Sequence, residues 1–372
     1  MKFDIKSVYS HFQVYGDFLQ ALPYGNGHIN DTFVVLTDQA GKTVRYILQR
    51  INHHIFREPE KLMDNVFRIC QETHRQLAES GVRDIHRRSL TTLLTEDSLP
   101  YFKDHAGNYW RLYFFIEDAV GYDIIENSQQ AYQAAHAFGN FQKLLTDLPG
   151  KRLYETVPGF HDTPRRFRSF LNALERDEFD RKDSARSEID FYLSYQDEID
   201  TLVRLHQAGN MPERVTHNDT KLNNVLLDIK TDEAICVIDL DTAMPGFSPY
   251  DFGDLVRTST SNAAEDEREL DKVQFLPDMF TALVEGYLSA ADFLLSVEKD
   301  HLVFGSKLMT YEVGLRFLTD YLTGDRYFKT RTEDHNLVRS RTQMKIVEEI
   351  ERQTHKLEDI VQACWNRRLN HS

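Results

Sequence analysis

The sequence predicts an α+β protein of two lobes, an antiparallel β-sheet N-terminal lobe and a mainly helical C-terminal lobe. Three observations carry this. Short β-rich runs dominate before about residue 117; segments with an apolar stripe at helical spacing dominate after it; and one polar β-hairpin interrupts the helical half. The expected division is residues 1–117 as a nucleotide-binding lobe and 118–372 as a helical lobe, with a cleft between them. A length of 372 residues fits two domains of ordinary size.

In the first lobe, TFVVLT (32–37) and TVRYILQ (43–49) flank the turn DQAGK, which is the pattern of a hairpin. NYWRLYFFIE (108–117) reads as a further aromatic strand. Between them EPEKLMDNVFRICQETHRQLAESG places Leu62, Val66, Ile69 and Leu77 at helical spacing, and Gly81 is placed to end the helix. In the second lobe QAYQAAHAFGNFQKLL, EIDFYLSYQDEIDTLVRLHQAG and KLMTYEVGLRFLTDYLTG each read as one helix. The last sets Leu308, Tyr311, Leu315, Leu318 and Leu322 on one face and stops at Gly324. KIVEEIERQTHKLEDIVQAC predicts a final helix with Ile346, Ile350, Leu357, Ile360 and Cys364 together, packed on the core rather than on a partner. VLLD and AICVID, around the charged turn IKTDE, predict the embedded hairpin.

Composition narrows the function classes. Apolar residues make up 41% and charged residues 28%, as in a folded globular chain. The formal charge of −15 argues against sequence-independent nucleic-acid binding, which needs clustered Lys and Arg. Cys70, Cys236 and Cys364 lie too far apart for metal or redox spacing and predict reduced, buried thiols. The first residues, MKFDIKSVYSHFQVYGDF, show no apolar signal core, and no run approaches a membrane span. A cytoplasmic protein without a nucleic-acid, membrane or obligate protein partner is expected.

The chemistry concentrates in the hairpin region. His217, Asn218 and Asp219 are followed by Lys221, by Asn224 and, one hairpin later, by Asp239. Phosphoryl transfer needs an acid group to receive the acceptor's proton and oxygen ligands to hold Mg²⁺ on the nucleotide phosphates. Asp219 as the base, with Asn224 and Asp239 as the metal ligands, satisfies that need. Each Asp alone would pass for a turn residue; the combined spacing does not. His217 is open to either a packed or a catalytic role, and Asp241 to either a metal or a capping one. Asp251 and Asp254 are expected to brace the loop. Tyr24-Gly25-Asn26-Gly27-His28-Ile29-Asn30 offers a Gly-bearing turn whose N–H groups can cover phosphates, although it is neither a Walker A nor a Rossmann fingerprint.

The spacing resembles the HRD-x4-N and DFG elements of protein kinases, and more closely the HxDxxxxN…D pattern of the aminoglycoside-phosphotransferase and choline-kinase superfamily. PYGNGHIN, YILQRIN, FHDTPRRF, RVTHNDTKLNNVLLD, IDLDTAMPG, YDFGD, RFLTDYLTGDRYF and HNLVRSRTQ extend the resemblance to that superfamily's N-acetylhexosamine 1-kinase branch, nearly end to end. The resemblance implies a protein-kinase-like fold and ATP- and Mg²⁺-dependent phosphorylation of the anomeric hydroxyl of GlcNAc or GalNAc. It implies sugar contacts at His28, Arg316 and Tyr327. Gly25, Gly27, Gln49 and Lys221 are expected to form the nucleotide side. Two departures stand out. Gln49 or Arg50 stands where protein kinases carry a strand lysine, and Thr258 stands where an aromatic is expected near the sugar. Arg316 also has Glu312 and Asp320 at i−4 and i+4, so a surface ion pair is its simpler reading. A kinase for an amino alcohol or aminoglycoside, and an inactive nucleotide-binding regulator, are the competing functions.

Overall fold

The computed structural model describes residues 3–25 and 29–369. They form two compact units. One comprises Met1–Gly121, Leu144–Pro158 and Val225–Met244; the other comprises Tyr122–Lys143, Gly159–Asn224 and Pro245–Ser372. The embedded hairpin therefore clusters with the N-terminal residues, although it lies deep in the sequence.

The first unit is built on an antiparallel sheet. Strands β1 (Asp17–Pro23), β2 (Asp31–Gln39) and β3 (Lys42–Ile51) follow one another, with Gly41 at positive φ in the turn. β4 (Thr92–Leu93), β5 (Phe102–Lys103) and β6 (Tyr109–Phe114) complete it, β6 lying beside β3. Alternation places Val35, Leu48, Trp110 and Leu112 inward, where helix α1 (Ile5–Tyr9) covers them with Ile5, Val8 and Tyr9. Helix α2 (Pro59–Glu79) buries the expected Leu62, Val66, Ile69 and Leu77, and Gly81 follows it at φ +77°. Strands β7 (Ala119–Gly121), β8 (Val225–Asp228) and β9 (Ala234–Val237) make a second antiparallel sheet. Asn65, wholly buried on α2, ties the distant segments together. Its amide nitrogen donates to the carbonyls of Tyr154 (2.8 Å) and Ala243 (3.3 Å), and its oxygen accepts from the Tyr154 N–H.

The second unit is helical: α3 (Ser128–Leu144), α4 (Thr163–Arg176), α5 (Arg186–Ser194), α6 (Thr201–Gln207), α7 (Ser248–Ser259), α8 (Pro277–Ala290), α9 (Leu302–Leu322), α10 (His335–Arg352) and α11 (Thr354–Leu369). α9 is its axis. Leu308, Tyr311, Leu315, Leu318 and Leu322 are buried as the stripe predicts, but so are Glu312, Thr310 and Asp320 on the other side. A helix buried all round needs partners for its polar groups, and those partners shape the site. α7 meets α9 at backbone contact: a Cβ on Gly305 would lie 2.3 Å from the Pro249 carbonyl oxygen, so only glycine fits there.

Two expected helices are split. EIDFYLSYQDEIDTLVRLHQAG becomes α5 and α6, because the residues between them bond elsewhere: the Tyr195 hydroxyl donates to Glu351 (2.6 Å) and Glu198 accepts from Lys307 (2.6 Å). The C-terminal pattern breaks at Gln353 into α10 and α11. The break shifts the phase, so that Val361 is buried and Ile360 only half-buried. α11 buries Leu357, Val361, Cys364 and Trp365 and packs on α8, as a core helix does. The three cysteines are buried and unpaired, and burial pushes the Cys70 thiol up to about 12. Among the described residues no helix is long and apolar enough to cross a membrane.

Candidate active site

In the second unit, the segment 216–224 is a loop held from below by α7. The Asp251 carboxylate accepts the backbone N–H groups of His217 (2.8 Å) and Asn218 (2.7 Å) and the side-chain amide of Gln142 (2.6 Å). One turn later Asp254 accepts the Thr220 N–H (3.0 Å) and pairs with Arg257 (2.7 Å). Both carboxylates brace the loop, as the sequence suggests. Their charges are set differently. Burial pushes the Asp251 carboxyl above the usual carboxylate range despite its three donors. Burial works the same way on Asp254, but the charges of Arg257 and Lys221 outweigh it and hold that carboxyl below the range.

This bracing raises Asp219 on a strained step. Asn218 sits at φ +64°, a left-handed conformation uncommon for a residue other than glycine. The Asp219 side chain keeps 27% of its exposure. Its Oδ1 meets the Lys221 ammonium at 2.6 Å, and its Oδ2 accepts from the Asn224 amide at 3.1 Å. The same Asn224 nitrogen donates to the Asp219 carbonyl (2.8 Å), so the Asn224 oxygen is turned away from Asp219. Burial disfavours the Lys221 ammonium, but Asp219 and Asp254 more than offset this and raise its pKa. His217 is fully buried, edge-on to Phe138 and Phe141, with Nδ1 facing the Asp219 N–H at 3.3 Å. Its setting is that of a packed side chain.

Arg316 does not form the ion pair its spacing invites. Glu312 is wholly buried and bonded to His161 (2.9 Å) and Thr163 (2.6 Å). Asp320 accepts the backbone N–H groups of Arg326, Tyr327 and Phe328 at 2.8–3.0 Å, fixing the loop after Gly324. Among the described residues no carboxylate lies within ion-pair distance of Arg316. Its guanidinium faces the rings of Phe160, Tyr327 and Phe328 at 5.6–5.7 Å and reaches the Tyr327 hydroxyl at 3.5 Å. The structure thus brings Arg316 and Tyr327 together, with Tyr327 71% exposed. Thr258, placed near the sugar by the resemblance, turns its hydroxyl back onto the carbonyls of Asp254 and Leu255 in its own helix.

In the first unit, Thr32, Gln49 and Arg111 are neighbours across β2, β3 and β6. The Gln49 amide donates to Thr32 Oγ1 (3.0 Å), and its oxygen accepts from Arg111 Nε (3.0 Å). Arg111 is 1% exposed and forms an ion pair with Asp241, which is 2% exposed and also accepts from Asn30 (2.7 Å). Both Asp241 carboxylate oxygens are thus engaged by side chains of its own unit. Asp239, two residues earlier, is exposed and held at φ +59°, strained like Asn218. Gly25 is exposed at φ +74°, with open space where a Cβ would stand. Gly27 and His28 lie outside the described residues.

Three site-shaping residues escaped the sequence reading: Arg111, His161 and Arg166. Arg111 left a signal, an arginine amid the strand apolars Trp110 and Leu112. Arg166 donates to the Phe160 carbonyl (3.1 Å) while its Nε is buried without an acceptor among the described residues. Burial and the neighbouring Arg316 charge lower its pKa.

Among the described residues no cluster of three His, Cys, Asp or Glu side chains could cage a metal. Asn224 offers an amide oxygen and Asp239 a carboxylate, each a donor type that Mg²⁺ takes.

Solved structures share this fold. A microcompartment-associated aminopropanol kinase is similar over 95% of this chain and 98% of its own, at 16% identity and a TM-score of 0.60. An aminoglycoside phosphotransferase from Alicyclobacillus acidocaldarius matches 98% of this chain and 96% of its own, at 13% identity and a TM-score of 0.55. A spectinomycin phosphotransferase solved with ADP and spectinomycin matches 97% of each chain, at 15% identity and a TM-score of 0.51. The sequence profile of the phosphotransferase enzyme family matches residues 20–282. With the antiparallel N-terminal sheet and the braced Asp219 loop, these matches show that the chain belongs to the phosphotransferase enzyme family and has its protein-kinase-like fold.

Proposed function

We propose that this protein is an ATP- and Mg²⁺-dependent kinase that phosphorylates the anomeric hydroxyl of N-acetylhexosamines. The observation that carries the reading is the contrast around Asp219 and Arg316. A braced, half-open carboxylate belongs to the same helical unit as two guanidiniums, Arg166 and Arg316, that lack a carboxylate partner among the described residues. Two guanidiniums with no carboxylate in ion-pair contact disfavour the cationic acceptors of an amino-alcohol or aminoglycoside kinase. They suit a neutral, oxygen-rich sugar, to which Arg offers several donors at once. The intact Asp219, Asn224 and Asp239 weigh against an inactive regulator.

In this reading Asp219 accepts the O1 proton as the bond from O1 to the γ-phosphorus forms and the bond to the departing ADP oxygen breaks. An anomeric hydroxyl is more acidic than a primary alcohol, so an ordinary carboxylate suffices. The loose transition state asks chiefly for alignment and charge stabilisation. Lys221 leaves Asp219 to meet the nucleotide phosphates, and Gly25, Gly27 and Gln49 belong to the nucleotide side. His28, Arg316 and Tyr327 hold the sugar ring. Asn224 and Asp239 would hold Mg²⁺, which neutralises charge on the phosphate oxygens.

The test is ADP release with GlcNAc, GalNAc, their deacetylated amines, choline and an aminoglycoside as acceptors. The N-acetylhexosamines are expected to exceed each cationic acceptor in kcat/KM by on the order of tenfold or more, which corresponds to about 1.4 kcal/mol. Fastest turnover of choline or of the aminoglycoside would replace this reading with a cationic-acceptor kinase.

A further inference from the structure

His161 connects the catalytic loop to the helix that carries Arg316. Its Nδ1 lies 2.9 Å from Glu312 Oε1 on α9, and its Nε2 lies 3.0 Å from the carbonyl oxygen of Asn218, the residue before Asp219. Both partners are acceptors. Burial pushes the Glu312 carboxyl up, but the bond and charge of His161 outweigh it and hold it below the usual range, so Glu312 is an ionised acceptor. Beside it a neutral imidazole, with one N–H, would turn a lone pair on one partner, and only the imidazolium satisfies both. Glu312 is a fitting counter-ion. It is wholly buried, its second oxygen accepts from Thr163 Oγ1 (2.6 Å), and it stands one turn before Arg316. A buried pair of this kind is costly unless every site on it is engaged, and here each one is.

We propose that His161, held as an imidazolium between Glu312 and the Asn218 carbonyl, is a positioning residue that fixes the left-handed step before Asp219 relative to Arg316. The inference rests on the kinase reading, in which Asp219 is the base and Arg316 holds the acceptor. A single ring then sets the two against each other, so loss of the imidazolium misaligns proton acceptor and substrate without touching either. The titratable groups that act on the ring are Glu312 on α9 and Asp254 on α7, with the rings of Tyr250 on α7 and Phe160 packed against it. Burial opposes the ring's charge, but the Glu312 bond and charge outweigh it and raise its pKa.

Two measurements test this. In the wild-type protein, ¹⁵N NMR of the His161 ring at pH 7 is expected to show both nitrogens protonated, and Glu312→Gln is expected to abolish that signature. His161→Gln is expected to lower kcat by roughly 10–100-fold, the scale of a misplaced reacting group, with the nucleotide KM unchanged. His161→Gly should regain part of that loss with added imidazole. A ring with one unprotonated nitrogen in the folded protein overturns the proposal, and so does a folded His161→Gln variant that keeps its kcat. The ring measurement needs no turnover, so it decides the matter even if no sugar is phosphorylated and the kinase reading fails.

Discussion

Asp241 and Asp219 are both carboxylates facing a cation, yet their surroundings differ in kind. Asp241 and its partner Arg111 are almost wholly buried, with Asn30 and Gln49 engaging what the pair leaves over. Asp219 and Lys221 keep 27% and 43% of their side-chain exposure. Water stabilises separated charges, so an exposed pair parts at little cost, whereas a buried pair is strongly coupled to the fold. The saturated pair holds a sheet to the hairpin of its own unit; the open pair can exchange its partner for a substrate.

The largest effect should come from the open pair. Asp219→Asn is expected to lower kcat by about 10²–10⁴-fold, with little change in sugar KM or thermal stability. Steady-state kinetics beside a melting curve check this, and a variant retaining most of its kcat would remove the distinction between the two carboxylates. The saturated pair should behave in the opposite way. Arg111→Met leaves Asp241 buried and unpaired and is expected to cost about 3–5 kcal/mol, whereas Arg111→Met with Asp241→Leu should recover most of the loss. Denaturant titration of the three proteins measures it.

Asp254 sharpens the comparison, being buried but joined to the open loop. Asp254→Asn is expected to cost about 1.5–3 kcal/mol at pH 7, the worth of hydrogen bonds to a charged group. The wild-type carboxyl is depressed in the fold, so its contribution is present above the usual carboxylate pKa and lost as pH falls through the folded value. The gap between wild type and variant should therefore begin to narrow below about pH 4 and close only below the folded value. The smallest effect belongs to Tyr327→Phe. The Arg316 contact at 3.5 Å is long, so removing the hydroxyl should raise sugar KM by only about fivefold, near 1 kcal/mol, and leave kcat unchanged.

Local pattern carried the elements whose partners lie nearby. The hairpins followed from alternation and turn residues, and the Asp219 loop from spacing within eight residues. What local pattern could not supply were pairings across the chain. Arg111 meets Asp241 130 positions away, and His161 meets Glu312 151 positions away. α9 illustrates why: its charges at Glu312 and Asp320 looked like an exposed face because helical spacing says nothing about what packs on it. The split at Tyr195–Glu198 goes with bonds to distant residues, Glu351 and Lys307, that a continuous stripe does not show.

The identity of the phosphorylated oxygen tests the central claim most directly. Wild-type protein is incubated with ATP, Mg²⁺ and ¹³C-labelled GlcNAc, and phosphorus–carbon couplings in the product locate the ester. Coupling to C1, with the proton splitting of an α-linked 1-phosphate, is the expected result; coupling to C6 would contradict the anomeric assignment and the role given to Asp219 in it.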